Sequence, residues 1–172
     1  ATSGELQVDG QKLTGLRSDT RIMFQEARLL PWKRVIDNVA LGLPEDKRGE
    51  AVKVLEQVGL GDRKADWPAR LSGGQRQLLS IARMMLCDPQ LVYMDEPTAN
   101  MDGNTEAHVI AVLKAWLKGR TLLMSTHRPQ LLEWADVVAV IEAGQCVMVG
   151  PKQEMIEKLS RGIDVKAAGA SA

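Results

Sequence analysis

Leu71-Ser72-Gly73-Gly74-Gln75-Arg76-Gln77, followed one helix-length later by Leu91-Val92-Tyr93-Met94-Asp95-Glu96-Pro97-Thr98, is the part of the chain whose reading decides the fold. Ser72-x-x-Gln75 fits a capping box, in which the serine oxygen takes an orphan amide and the glutamine reaches back. Leu78, Ile81, Ala82 and Met85 recur on one face, which predicts an amphipathic helix, and Asp88-Pro89 ends it. The run 91–94 is continuously apolar, as expected for a strand covered on both faces. It ends in the paired acids Asp95 and Glu96.

Downstream, Val109, Val112, Leu113, Trp116 and Leu117 form a helical stripe stopped by Lys118-Gly119. Residues 121–124 predict a second buried strand, ending at Ser125-Thr126-His127. The runs 137–141 and 146–149 flank Gly144 and predict a hairpin or two short strands. Pro151 opens a last helix reaching Leu159. The Ala, Gly and Ser-rich stretch 166–172 reads as a disordered tail. Upstream, Leu6-Gln7-Val8 before Asp9-Gly10 predicts a hairpin arm, and 21–24 a strand ending at Gln25. Pro31 forbids a helix interior, 35–41 predicts a short helix, and Pro44 a break. Ala51, Val54, Leu55 and Val58 keep one helical face, and Gly59 stops it. A polar connection, 59–70, contains Trp67-Pro68.

Strands alternating with helices predict an α/β fold with a parallel sheet. The helical block that begins at residue 35 interrupts that rhythm and reads as an inserted helical subdomain. The expected division is therefore 1–34 and 87–165 as α/β core, 35–86 as helical subdomain, and 166–172 as tail.

Composition narrows the function classes. Lysine plus arginine and aspartate plus glutamate balance at 22 each, so no basic surplus points to nucleic acid. Hydrophobic residues make up 45%, enough for a real core in 172 residues. No apolar run approaches the roughly 18 residues needed to span a bilayer, and Ala1-Thr2-Ser3-Gly4-Glu5 lacks the features of a signal peptide. Cys87 and Cys146 have no metal-ligand spacing and read as thiols in a reducing compartment, so a cytoplasmic location is expected.

Asp95 and Glu96 stand at the carboxyl end of a strand, where open α/β sheets bind ligands. A carboxylate there can hold Mg²⁺, and a second can accept a proton from attacking water. Neighbours on a strand point to opposite faces, so both acids serve one site only where the strand is ending. The same pattern also describes a strand end decorated with solvated acids. His127 follows a strand parallel to that of Asp95 and can contact a phosphate or position water; it is equally readable as a surface-loop histidine. Ser72, Gly73 and Gly74 open a helix, where amides and the helix dipole attract anions; a plain N-cap accounts for them too. Gln25 ends a strand, and its amide can ligate a metal or orient water.

Leu71-Ser72-Gly73-Gly74-Gln75 resembles the signature motif of ABC-type ATPases. Leu91-Val92-Tyr93-Met94-Asp95-Glu96 resembles their Walker B strand with the catalytic glutamate, and Ala99-Asn100-Met101-Asp102 their D-loop. Ser125-Thr126-His127 resembles the switch histidine, and Met23-Phe24-Gln25 the Q-loop. These motifs follow in family order over 6–159. The resemblance implies a P-loop NTPase-like sheet with ATP and Mg²⁺ as cofactors. It implies Asp95 on the metal, Glu96 as general base, His127 at the γ-phosphate, and Gln25 linking the metal to a transport partner. Cassettes of this family pair head to tail. Ser72, Gly73, Gly74 and Gln75 would then face ATP held by a second cassette, and Asp102 would line the dimer interface. The other implied partners are transmembrane permease subunits, which would place the chain on the cytoplasmic face of a membrane.

The front, Phe24-Gln25-Glu26-Ala27-Arg28-Leu29-Leu30-Pro31-Trp32 with Asp37-Asn38-Val39 and Trp67-Pro68, is similar to sulfonate, taurine and nitrate importer ATPases. Met101-Asp102, His127-Arg128 and Gly150-Pro151-Lys152 with Glu154 are closer to exporter cassettes. No Gly-x-x-x-x-Gly-Lys-[Ser/Thr] phosphate loop occurs in the 172 residues. The expectation is a fold lacking the strand and helix of that loop, apolar sheet edges left uncovered, and weak or no ATP binding by the chain alone. Two other readings remain open: a non-hydrolysing or mosaic module that keeps the fold, and a soluble ABC ATPase of DNA repair or translation.

Overall fold

A computed structural model describes residues 4–160 apart from residues 6, 9, 16 and 18; for residues 46, 129 and 160 only the backbone is described. The stretch expected to be a disordered tail lies outside these residues, as do Leu6 and Asp9. The chain divides into two units, Ala1–Ser125 and Thr126–Ala172.

The first unit opens with a minimal hairpin, β1 (Gln7–Val8) antiparallel to β2 (Gln11–Lys12), turning through Gly10 at φ 72. Its core is a parallel sheet in the order β3 (Thr20–Met23), β4 (Leu91–Asp95), β5 (Thr121–Ser125). Between β3 and β4 come α1 (Val35–Val39), α2 (Glu45–Arg48), α3 (Ala51–Gln57), two 3₁₀ turns (Gly61–Arg63 and Pro68–Arg70) and α4 (Gly73–Cys87). Helix α5 (Gly103–Trp116) joins β4 to β5.

Helix α4 packs on α1, α3 and β3. Leu55, Leu79 and Ile81 are fully buried, each side chain contributing about 1.5–3 kcal/mol on leaving water. The predicted capping box is present: Gln75 N donates to Ser72 Oγ at 3.2 Å, and Ser72 N donates to Gln75 Oε1 at 3.0 Å. The helix stops at Asp88, which takes a left-handed conformation with φ 50. Four-residue helix α2 carries too short a pattern for sequence reading to find, and α1 ends at Val39, short of the expected 41.

One expectation needs correcting. The apolar runs predicted strands covered on both faces, yet burial along β4 alternates, with Val92 and Met94 buried and Leu91, Tyr93 and Asp95 half-buried. Register puts Ile22, Tyr93 and Leu123 side by side on one face. On that face Ile22 is 55% and Leu123 61% exposed. Among the described residues β5 pairs only with β4, so it is an outer strand, not a buried one. An apolar run shows what a strand could bury, not whether a neighbour is there to bury it.

The second unit is α6 (Pro129–Leu132), the hairpin β6 (Val137–Glu142) and β7 (Gln145–Pro151), and α7 (Lys152–Ser160). Of the two arrangements open from sequence the hairpin is observed, turning through Ala143 and Gly144 with φ 48 and 79. That pair of positive φ values suits a tight hairpin turn. Gly150 lets α7 approach, since a Cβ there would stand 3.2 Å from the Sδ of buried Met155.

Candidate functional site

The carboxyl ends of β3, β4 and β5 fall at one edge of the sheet. Met23 pairs with Met94, and Asp95 with Ser125, so Gln25, Asp95 and Ser125 all sit at or just beyond that edge. The Ser125 hydroxyl donates to Asp95 Oδ1, orienting the carboxylate. β4 ends at Asp95, and Glu96 takes a left-handed backbone with φ 47. That turn lets the second acid leave the strand's alternation. Non-glycine residues in this region cost of order 1 kcal/mol and persist only where the surroundings hold them. Here Glu96 N donates to Ser125 O at 3.0 Å, and Glu96 O accepts from Ala99 N at 3.1 Å and from Gln77 Nε2 at 3.5 Å. Glu96 Oε2 is buried.

The loop beyond the acids is tied on both sides. Thr98 is fully buried and its hydroxyl donates to Glu106 Oε1 on α5 at 2.8 Å. Asp102 caps α5: its Oδ1 accepts from Asn104 N and Thr105 N at 3.1 and 3.0 Å, and its Oδ2 accepts from Thr105 Oγ1 at 2.7 Å. Sequence reading gave Asp102 an interface role and missed the cap, although Asp102-x-x-Thr105 was there to be read. The Thr105 amide and hydroxyl hold this carboxyl below the usual aspartate range against the opposing effect of desolvation, with lesser help from its own and the Asn104 amides. A carboxylate whose pKa is depressed by folding stabilises the fold above its unfolded pKa and loses that effect as pH falls through the folded value. Asp102→Ala is therefore expected to lower Tm above about pH 4, with the gap from wild type closing at lower pH, as thermal unfolding followed across pH would show.

Gly73 and Gly74 do different work. A Cβ on Gly74 would stand 2.9 Å from Asn100 O and 3.5 Å from Met101 Cα, so the loop that leads to Asp102 requires glycine there. A Cβ on Gly73 would meet only the Asn100 side chain, at 3.5 Å, an ordinary contact. Gly74→Ala is expected to cost about 1–3 kcal/mol through this close approach, whereas Gly73→Ala, at a helix position that favours alanine, should be close to neutral. Urea midpoints of the two variants check this.

Gly73 also lines a cleft of about 480 Å³ with Gln25, Gln77, Asn100, Arg28 and Arg76. The structure thus brings Gln25 to the same cleft as the amino end of α4, at whose entrance Ser72 and Gln75 are occupied with each other as the cap. Asp95 and Glu96 stand at the sheet edge, Glu96 touching α4 through Gln77. His127 is exposed and lies in the second unit, two residues past the end of β5. Ser125, Gln77 and Asn100 stand inside motifs read from the sequence but are given no role of their own there; their contacts are made across the fold and leave no local pattern.

Asp95, Glu96, Ser125 and Gln25 at this edge offer carboxylate, hydroxyl and amide oxygens, ligands that a hard cation takes. Among the described residues no group of three or more His, Cys, Asp or Glu forms a metal cage. One carboxylate with an amide oxygen fits Mg²⁺ of the kind that keeps its waters and borrows phosphate oxygens. No helix among the described residues is long and apolar enough to cross a membrane.

The ABC transporter family model matches residues 1–99. The chain is 52% identical over 151 residues to the aliphatic sulfonates import ATP-binding protein SsuB of Albidiferax ferrireducens, covering 86% of this chain and 54% of that protein. It is 47% identical over 154 residues to the SsuB of Cupriavidus necator, covering 86% and 51%. Coverage of that extent takes in both the front and the back of the chain. The chain spans about half the length of the curated relatives it matches. Among solved structures it is similar to cbiO1 of Clostridium perfringens, part of the ABC transporter complex cbiONQ, with TM-score 0.73 and 24% identity over 93% of this chain and 70% of that one. That likeness concerns the fold, an α/β architecture around a parallel sheet. With the capped helix, the acid-terminated strand and the shared sheet edge, these matches establish that the chain belongs to the ABC transporter family.

Proposed function

We propose that this chain is the signature and Walker B part of an ATP-hydrolysing subunit that drives transport across a membrane, of the aliphatic sulfonate import kind. The observation that carries the reading is the end of β4. Asp95 is oriented by Ser125, and the left-handed turn at Glu96 releases the next carboxylate from the strand. Asp95, with Gln25, would hold Mg²⁺, whose chemistry when bound is to neutralise phosphate charge. Glu96 would take the proton of the attacking water, and His127 would hydrogen-bond the terminal phosphate. Ser72, Gly73, Gly74 and Gln75 would face the nucleotide of a second cassette, with Asp102 near that interface. Ser72 and Gln75 would have to release each other, or share their bonds, to do so. Permease subunits are the proposed membrane partner, holding the chain at the cytoplasmic face.

The phosphate loop must come from a segment other than these 172 residues. The outer edge of β5 and the bare face of Ile22, Tyr93 and Leu123 offer a place for its strand and helix. A second reading is a module that keeps the fold and does not hydrolyse ATP. Calorimetry and turnover separate the two. The 172-residue chain is expected to show no submicromolar ATP binding, and turnover is expected once a phosphate-loop segment is joined to it. Submicromolar binding by the chain alone would contradict the half-site reading, and a joined protein that binds ATP without turnover would favour the module.

A further inference from the structure

Helix α4 buries polar side chains along one of its ridges. Gln77 is 3% and Ser80 8% exposed, and Arg83 follows at the same three-residue spacing. Residues three apart lie along one ridge of a helix. Burying donors is costly unless they are bonded, and burial pushes the Arg83 guanidinium pKa down.

The bonds share one sense. Gln77 Nε2 donates to Glu96 O at 3.5 Å, and Ser80 Oγ donates to Ala27 O at 3.1 Å. Arg83 donates to Arg28 O at 3.3 Å, to Asn38 O at 2.9 Å and to Asn38 Oδ1 at 3.0 Å. Nearly every acceptor is a backbone carbonyl. The Glu96, Ala27 and Arg28 carbonyls belong to the segments that carry Glu96 and that follow Gln25, Asn38 lies in α1, and none of the acceptors lies in the sheet. Both segments contain a non-glycine residue in the left-handed region next to the tied carbonyl: Glu96 at φ 47 and Arg28 at φ 42. Strained backbone of this kind survives only where the surroundings over-determine it, and on both segments α4 supplies part of that constraint.

We propose that Gln77, Ser80 and Arg83 form a positioning stripe by which α4 sets where Gln25 and Glu96 stand relative to its own Ser72–Gly74 end. The nucleotide-facing end of the helix and the chain's own metal and base segments are then one mechanical unit. Gln77 and Arg83 act through other residues and touch no reacting atom. The consequence for turnover rests on the preceding reading of Glu96 as base; the positioning itself does not.

Hydrogen exchange of the 172-residue chain, followed by mass spectrometry, tests it. Arg83→Met is expected to speed exchange in 27–34 by about tenfold, and Gln77→Met by a smaller factor in 96–99. Strand β4 and helix α5 should exchange as in wild type. Arg83→Lys, which keeps the stem and charge but loses the fork, should speed 27–34 in the same way should the Met variant fail to fold. Unchanged exchange in both segments would overturn the proposal. So would uniform acceleration of the whole unit, which marks a general packing role. In the joined, turning-over protein, Gln77→Met should lower kcat with KM for ATP held within about twofold, and add nothing to the loss caused by Glu96→Gln. If Glu96→Gln retains full turnover, the base assignment fails while the exchange result still decides the positioning.

Discussion

Glu96→Gln is expected to lower ATP turnover at least a hundredfold, at the scale of about 10²–10⁴ that a general base contributes, in the protein completed with a phosphate loop. Glutamine keeps the shape and cannot accept a proton. The backbone bonds of residue 96, with Ser125 O, Ala99 N and Gln77 Nε2, are made by its own amide and carbonyl and are retained in the glutamine variant. Nucleotide binding should therefore survive while kcat collapses, which steady-state kinetics beside calorimetry would show. The left-handed backbone sharpens the test. Asparagine is better tolerated in that region than glutamate, so Glu96→Asn should unfold at equal or higher temperature than wild type and be equally inactive. A residue kept at a conformational cost that its replacement relieves is held for chemistry, not stability. Turnover that survives Glu96→Gln would remove the base from the proposed mechanism.

Asn38→Leu is expected to be the most damaging single change to the fold away from the sheet, costing about 3 kcal/mol or more. Asn38 is fully buried. Its Oδ1 accepts from Leu30 N at 2.9 Å and Arg83 at 3.0 Å. Its Nδ2 faces the carbonyls of Leu30 and Lys33, both at 3.0 Å, and of Arg34 at 3.1 Å. Leucine matches the volume and satisfies none of them. It removes the side-chain partner of the Leu30 amide and the Lys33 carbonyl and takes one bond each from Arg83, Leu30 O and Arg34 O, and an unpaired buried group carries its full desolvation penalty. Urea unfolding measures the loss directly. Because the groups that lose a bond lie in 27–38 and on α4, local exchange in that region should rise before the global transition. Asn38→Leu thus weakens the positioning stripe from the side opposite to Arg83→Met.

Much of the fold was legible where the cause is local. The capping box at Ser72, the face of α4, the stop at Asp88 and the hairpin around Gly144 each depend on residues within a turn or two of one another. Helices α2 and α6, four residues each, were not legible because they are too short to show a period. The N-cap role of Asp102 is equally local, since the amides it accepts from lie two and three residues on.

By itself the sequence determined the α/β class, the order of strands and helices around Asp95, and which residues are candidates for the chemistry. Hydrophobic period, capping and turn chemistry act over a few residues and survive reading in one dimension. Tertiary structure alone decided the rest. It separated Gly73 from Gly74, because only the fold brings Asn100 O to 2.9 Å from a Cβ at 74. It identified β5 as an outer strand with Leu123 exposed, where the sequence implies only that some apolar sheet edge is uncovered, because an apolar run cannot report the presence of its neighbour. It tied Arg83 to Asn38, 45 residues away in sequence. Such contacts cost loop closure to form and are fixed by packing, so no window of sequence contains both partners.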